Sequence, residues 1–229
     1  MHYTPRTIAF LCELLHAPMQ ADPTPVQRVH NRMFESGEPA YTSFAVIPNG
    51  TVLSNPSSRP GEISQVSFLP DRFQFREELG HLTYDQFAER VQRIASEVAD
   101  LRGIRHFQAQ SVIVRTLVNP KTFADSRTFL KEGMFAIDEE LEHFQRDPQL
   151  LGLRMVFPPT PEDTAAYALR IESFNNDPRS LYIENQGTFG PIDVLNGMTA
   201  IEENVRHTYR FVVERGLSFV RAFDSRQEA

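Results

Sequence analysis

The chain contains a single cysteine, Cys12, among 229 residues. That excludes an internal disulfide framework and any zinc site built on cysteine. Lysine is nearly missing as well, Lys121 and Lys131 being its only copies. Almost every cation is therefore an arginine, whose planar fork suits carboxylate pairing on a sheet surface. No apolar run approaches the roughly 18 residues of a membrane span. The opening Met1-His2-Tyr3-Thr4-Pro5-Arg6 lacks the charged-then-apolar order of a secretory leader, so the expected location is the cytoplasm. The sequence also lacks G-x-S-x-G, G-x-x-x-x-G-K and G-x-G-x-x-G, the fingerprints of serine hydrolases, phosphate loops and dinucleotide folds. Positive charge is in deficit. Lys+Arg 23 against Asp+Glu 30 gives a net charge of −7, which opposes broad nucleic-acid binding.

What remains is a chain long enough to bury a large core, with recurring turn and cap signals. Residues 8–16 read as a strand. Thr24-Pro25-Val26-Gln27 reads as a capping box that opens a helix closed by Gly37 and Pro39. Strands are predicted over 41–47, 51–53, 63–69 and 72–76, with turns at Pro48-Asn49-Gly50 and Leu69-Pro70-Asp71. Thr83-Tyr84-Asp85-Gln86 is a second capping box, followed by apolar residues at helical spacing as far as Leu101 and a stop at Gly103. The order then recurs: a strand over 107–118, helical segments over 122–135 and 138–146, strands over 151–157, 166–174 and 181–188, and a long helix over 199–222 opened by a third box, Thr199-Ala200-Ile201-Glu202. Gly187-Thr188-Phe189-Gly190-Pro191 reads as a turn.

The expected fold is therefore α+β, with pseudo-duplicated strand–helix–strands–helix units forming one twisted antiparallel sheet with helices on one face. Residues 1–103 make the first half and 104–229 the second, joined as one continuous domain. This element order resembles the TATA-box-binding-protein-like architecture, a likeness of topology that carries no function by itself. Two stretches, Val66-Ser67-Phe68-Leu69-Pro70-Asp71-Arg72-Phe73-Gln74-Phe75 and the run from Ala200-Ile201-Glu202-Glu203 to Phe219-Val220-Arg221-Ala222-Phe223, resemble a sporadically distributed family of uncharacterised bacterial proteins. The resemblance covers under a fifth of the chain. It implies a bacterial cytoplasmic protein and nothing about chemistry.

Candidate chemistry is sparse. Glu78-Leu79-Gly80-His81 and Glu140-Leu141-Glu142-His143 both spell the Glu-x-x-His of di-iron bundles. The first contains a glycine and precedes a helix cap, and the second lies on a charged, solvated segment. Glu203 and His207, four apart, read as a surface pair. Cys12 reads as a small buried hydrophobe, with His16 on its face but too far along the strand to activate it. No catalytic set, metal or cofactor is expected.

Strand parity is more informative. With Phe73 and Phe75 turned to the core, Arg72, Gln74 and Arg76 turn away. The same alternation places Arg154, Arg170, Glu172, Tyr182, Glu184 and Gln186 on that polar face, while Arg115 interrupts an otherwise apolar strand. The plain reading is a solvated face stitched by Arg–Glu pairs. The functional one is a surface gripping a protein, peptide or anionic ligand through Arg72, Arg76, Arg154, Arg170, Glu172, Tyr182 and Glu184. The leading expectation is a non-enzymatic binding or assembly module. Its alternatives are a hydrolase or transferase with a carboxylate–arginine pocket on the sheet, and a nucleic-acid-binding saddle. The apolar residues of the last helix spread beyond one stripe, which fits burial inside the fold or in a homodimer.

Overall fold

A computed structural model describes residues 3–37 and 39–225; Met1 and His2 of the opening segment lie outside them. The fold is α+β, built on a nine-stranded antiparallel sheet. The first unit runs β1 (Arg6–Leu15), α1 (Thr24–Glu35), β2 (Ser43–Ile47), β3 (Gly50–Ser54), β4 (Ile63–Phe68), β5 (Arg72–Glu78) and α2 (Tyr84–Arg102). Then come a short β6 (His106–Phe107) and β7 (Ala109–Val118). A helical insert follows: α3 (Ser126–Thr128), a π-helical turn (Phe129–Phe135) and α4 (Asp138–Leu141). The chain returns through β8 (Gly152–Phe157), β9 (Ala166–Ser173), β10 (Leu181–Phe189) and a short β11 (Ile192–Asp193) that pairs with β6. It ends in α5 (Met198–Arg210), a π-helical turn (Phe211–Gly216) and α6 (Leu217–Asp224).

The strand order β2-β3-β4-β5-β1-β7-β10-β9-β8 is nearly symmetrical about the β1–β7 pair. Stepping outward, β5 answers β10, β4 answers β9 and β3 answers β8, so the duplication read in the element order is present in the sheet. Among the described residues the second unit has no counterpart of β2. Its helical insert takes the chain position that α1 occupies in the first.

One face carries the core. Phe10, Cys12 and Leu14 of β1, Phe73 and Phe75 of β5, Val112 and Val114 of β7, and Ile183 of β10 are all buried against the helices. α2 begins as expected, the Thr83 side chain accepting from the Gln86 N–H while Gln86 accepts from the Thr83 N–H. The other two boxes do not form. α1 takes Thr24 as a helical residue with Pro23 at its cap, and Asp22 accepts from the Thr24 N–H instead. α5 starts at Met198, one residue ahead of Thr199, so Glu202 turns to Arg206 four residues on. Gly187 is strand, not turn. A Cβ there would stand 2.4 Å from Thr208 Oγ1, so the glycine lets α5 lie close on β10.

The breadth of apolar residues on the last helix has an internal explanation. The π turn shifts the register between α5 and α6. Ile201 and Val205 before it and Leu217 and Val220 after it are thereby all buried on the same sheet. Phe211, at its start, stacks on Tyr167 at 4.3 Å between ring centres. No helix is long and apolar enough to cross a membrane among the described residues.

Candidate binding face

Opposite the helices, the sheet presents its second face, and its composition follows from strand register. One transverse row runs Glu78, Ala9, Arg115, Glu184, Arg170, Arg154 across β5, β1, β7, β10, β9 and β8. The next runs Arg76, Leu11, Ile113, Gln186, Ala168, Val156 over the same strands. A third carries Gln74, Glu13, Ser111 and Thr188. The second row is thus apolar at Leu11, Ile113, Ala168 and Val156 and is interrupted by Gln186, whose amide donates to the Ser111 hydroxyl at 3.0 Å.

All seven residues predicted for the face stand on it, six of them in two groups and Arg154 apart. Glu184 is the hub of the larger one. Arg115 Nε donates to it at 2.7 Å, the Tyr182 hydroxyl donates at 2.7 Å, and an Arg170 nitrogen lies at 4.0 Å. Arg170 also grips Glu172 through two bonds, at 2.7 and 2.5 Å, and lies over the Tyr182 ring. Burial opposes the charge on Glu184. The bonds from Arg115 and Tyr182 outweigh it and hold this carboxylate below its ordinary range. Burial, reinforced by the bond to Glu184, pushes the Tyr182 hydroxyl up. The smaller group sits on β5 and β1. Arg76 donates to Glu78, Arg72 makes a two-bond clasp with its neighbour Asp71, and Gln74 donates to Glu13. Arg154 stands apart at the sheet edge, directly opposite Arg170. Among the described residues it makes no hydrogen bond or ion pair.

Strand parity found the arginines, but it overlooked Leu11, Ile113 and Val156, which give the face its apolar stripe. The signal was available. Leu11 sits between Phe10 and Cys12 on a strand whose even residues are core, so the odd ones had to face out. Glu13 and Glu78 follow the same rule. Extending β5 to Glu78 takes that residue out of the Glu-x-x-His reading and pairs it with Arg76. No group of three or more candidate metal ligands occurs among the described residues.

Cys12 is fully buried and accepts a hydrogen bond from Gln110 Nε2 at 3.4 Å. Burial pushes its thiol up to about 12, far from a nucleophile's range. Three clefts lie off the open face. One is at the helical insert near Lys131 and Asp147, another beside Gln86 and Arg93 of α2, and a third at the sheet end near His16. None of these three is lined by Arg170, Glu172 or Glu184. Compared with known proteins, the chain matches no family model and no curated protein.

Proposed function

We propose that this chain is a non-enzymatic binding module whose open sheet face docks a partner protein. The observation that carries the reading is the row of Leu11, Ile113, Ala168 and Val156, broken only by Gln186, that lies beside the row of paired charges centred on Glu184. An apolar centre with a polar surround is the usual anatomy of a protein-binding patch. Val156, 66% exposed, is the largest apolar group the stripe offers to solvent. The charge pairs would fix register and reject wrong partners more than they would add affinity. Arg154, already free of a carboxylate, would meet an acidic group of the partner without breaking an internal pair.

The same geometry weighs against the two alternatives. A nucleic-acid saddle needs cations free for phosphates, whereas Arg72, Arg76, Arg115 and Arg170 are each held by a carboxylate. A carboxylate–arginine catalytic site needs a hollow that shuts out water. Here Arg170, at 45% exposure, lies on the sheet surface.

The test is affinity capture from the source cells with the wild type and with Ile113→Arg, using Arg93→Ala on the helix side as control. A partner kept by wild type and R93A and lost by I113R supports the face. Equal capture by all three, or no capture beyond background, removes it.

A further inference from the structure

The sheet ends on two edge strands that differ in how they are guarded. β8 closes one end, with Arg154 inside the strand and Pro158-Pro159 directly after it. Charges and prolines are the usual means of keeping an edge from pairing with another chain. β2, Ser43-Phe44-Ala45-Val46-Ile47, closes the other end and carries no charge, and Pro48 after it serves the turn into β3. Residues 39–58, which hold β2, that turn and β3, contain no Asp, Glu, Lys or Arg. No other uncharged run is as long, in a chain that is 23% charged.

Among the described residues β2 hydrogen-bonds to β3 alone. Alternate residues along it therefore turn their N–H and C=O groups outward, with no strand to receive them. Apolar surface continues beside this ladder on the covered side. Phe44 and Val46 pair with Leu53 and Thr51, both buried, so they point toward the helices. Val46 is nonetheless 62% exposed. α1 brings His30 against Phe44 at 5.9 Å between ring centres, and Phe34, packed on His30 at 4.9 Å, is 47% exposed. Strand and helix thus form one apolar border at this end of the fold.

We propose that a second copy of the chain covers this border, the two β2 strands pairing antiparallel about a two-fold axis through the sheet. Such an axis keeps the helices of both copies on one side, so covered residues meet covered residues. Centred on Ala45, it pairs all five residues of the strand: Phe44 with Val46, Ser43 with Ile47, and Ala45 with itself. Centring on Phe44 or Val46 would leave part of the strand unpaired. No like charges confront each other, although each copy carries a net charge of −7. The strand ladder alone is a small interface, and Phe34, Phe44 and Val46 of both copies extend it on the helix side. A foreign extended peptide fits this edge less well. Peptides added to an edge draw their specificity from pockets beside it, and the clefts at the insert, at α2 and near His16 are lined by no residue of β2. The pairing does not rest on the open-face reading, so either can fail without the other.

The experiment follows the full chain by analytical ultracentrifugation and by disulfide trapping. The expected result is a dimer with a dissociation constant of about 1–10 μM. Val46→Lys, at an exposed position, should weaken it roughly tenfold or more by setting a cation on the pairing edge. Leu195→Lys, at a 71% exposed apolar residue on the loop after β11, should leave it unchanged. Cys12 is the only native thiol and is fully buried, so an added cysteine reports its own position. Ala45→Cys should give a disulfide-linked dimer on oxidation, because directly opposed residues of antiparallel strands lie within disulfide reach. Ile47→Cys should not, its two copies standing four residues apart along the ladder, about 13 Å. A monomer at about 100 μM, a dimer that V46K leaves intact, or trapping at position 47 in place of 45 overturns the proposal. Oligomers that grow past two copies with concentration also overturn it, since β2 would then pair with β8 of the next copy.

Discussion

The two faces of this sheet accommodate polar groups in opposite ways. On the covered face, single amides and carboxyls are sunk among aromatic rings and tied to backbone. Gln110 bridges the Ile201 carbonyl and Asn204 side chain of α5, and Asn185 donates to the Thr208 carbonyl. Asp224, at the end of α6, accepts from the Tyr3 hydroxyl, the Thr122 hydroxyl and the N–H groups of Lys121 and Thr122, pinning the start of the chain and the β7 exit to the last helix. On the open face, the charges other than Arg154 pair with one another across and along the strands. The difference lies in solvent. A buried acceptor stripped of its donors has no water to replace them, whereas a surface arginine that loses its glutamate simply solvates.

Substitutions should separate the faces by magnitude. Phe73→Ala should cost the most, about 3–5 kcal/mol, because the ring is fully buried against Phe68, Phe107 and His16. Chemical denaturation reads it directly. Asp224→Ala comes next, at about 3 kcal/mol, since it strands donors in a dry site. Four hydrogen-bond donors outweigh burial and hold its carboxyl below the ordinary 3.8, so its contribution is present above that pH and lost as pH falls through the lower folded value. An Asp224→Ala chain that melts like wild type at pH 7 would break the comparison at its strongest point.

The distinction between the faces also decided what could be read from sequence. Alternation in β5, β9 and β10 is strict because one side meets helices and the other water, so Arg72, Arg170 and Glu184 could be placed by counting. The element order was legible for the same reason, down to the cap at Thr83. Gln110 and Asn185 were not. Each occupies a core position where the alternation calls for an apolar residue, and what makes it tolerable is a carbonyl on α5, ninety-one residues away in the case of Gln110. The π turn over Phe211–Gly216 was equally hidden, since an inserted residue leaves the local hydrophobic run intact and only shifts which side of the helix meets the sheet. The cleft at His16 needs the ends of β1 and α2 brought together, and no spacing along the chain encodes that.

Gln110→Leu tests the covered face at intermediate scale. It leaves the Asn204 amide and the Ile201 carbonyl without their partner, and the expected loss is about 1–3 kcal/mol. On the open face, Arg76→Ala should move stability by less than about 0.5 kcal/mol, its pair with Glu78 being surface-exposed and local.

The smallest effect is the most discriminating, because the two faces should give it opposite signs. Glu77 points to the covered face, 6% exposed, beside Arg90 at 3.7 Å. Burial raises its carboxyl above the ordinary 4.5, and the Ser64 bond and Arg90 only partly offset this. The folded chain therefore holds that proton more tightly than the unfolded one. The contribution of Glu77 is fully present below pH 4.5 and declines as pH rises through the raised value. Glu184 has a lowered carboxyl, so its contribution is present above 4.5 and lost as pH falls through the lower folded value. Against a non-titrating glutamine at the same place, the stability difference between wild type and Glu77→Gln should shrink with rising pH, and that for Glu184→Gln should grow. Thermal melts of the three chains between about pH 3 and 7 give both slopes. Slopes of the same sign would mean that Glu77 keeps its charge under the helices, with Arg90 closer to it than 3.7 Å, and that the covered face tolerates ion pairs as the open face does.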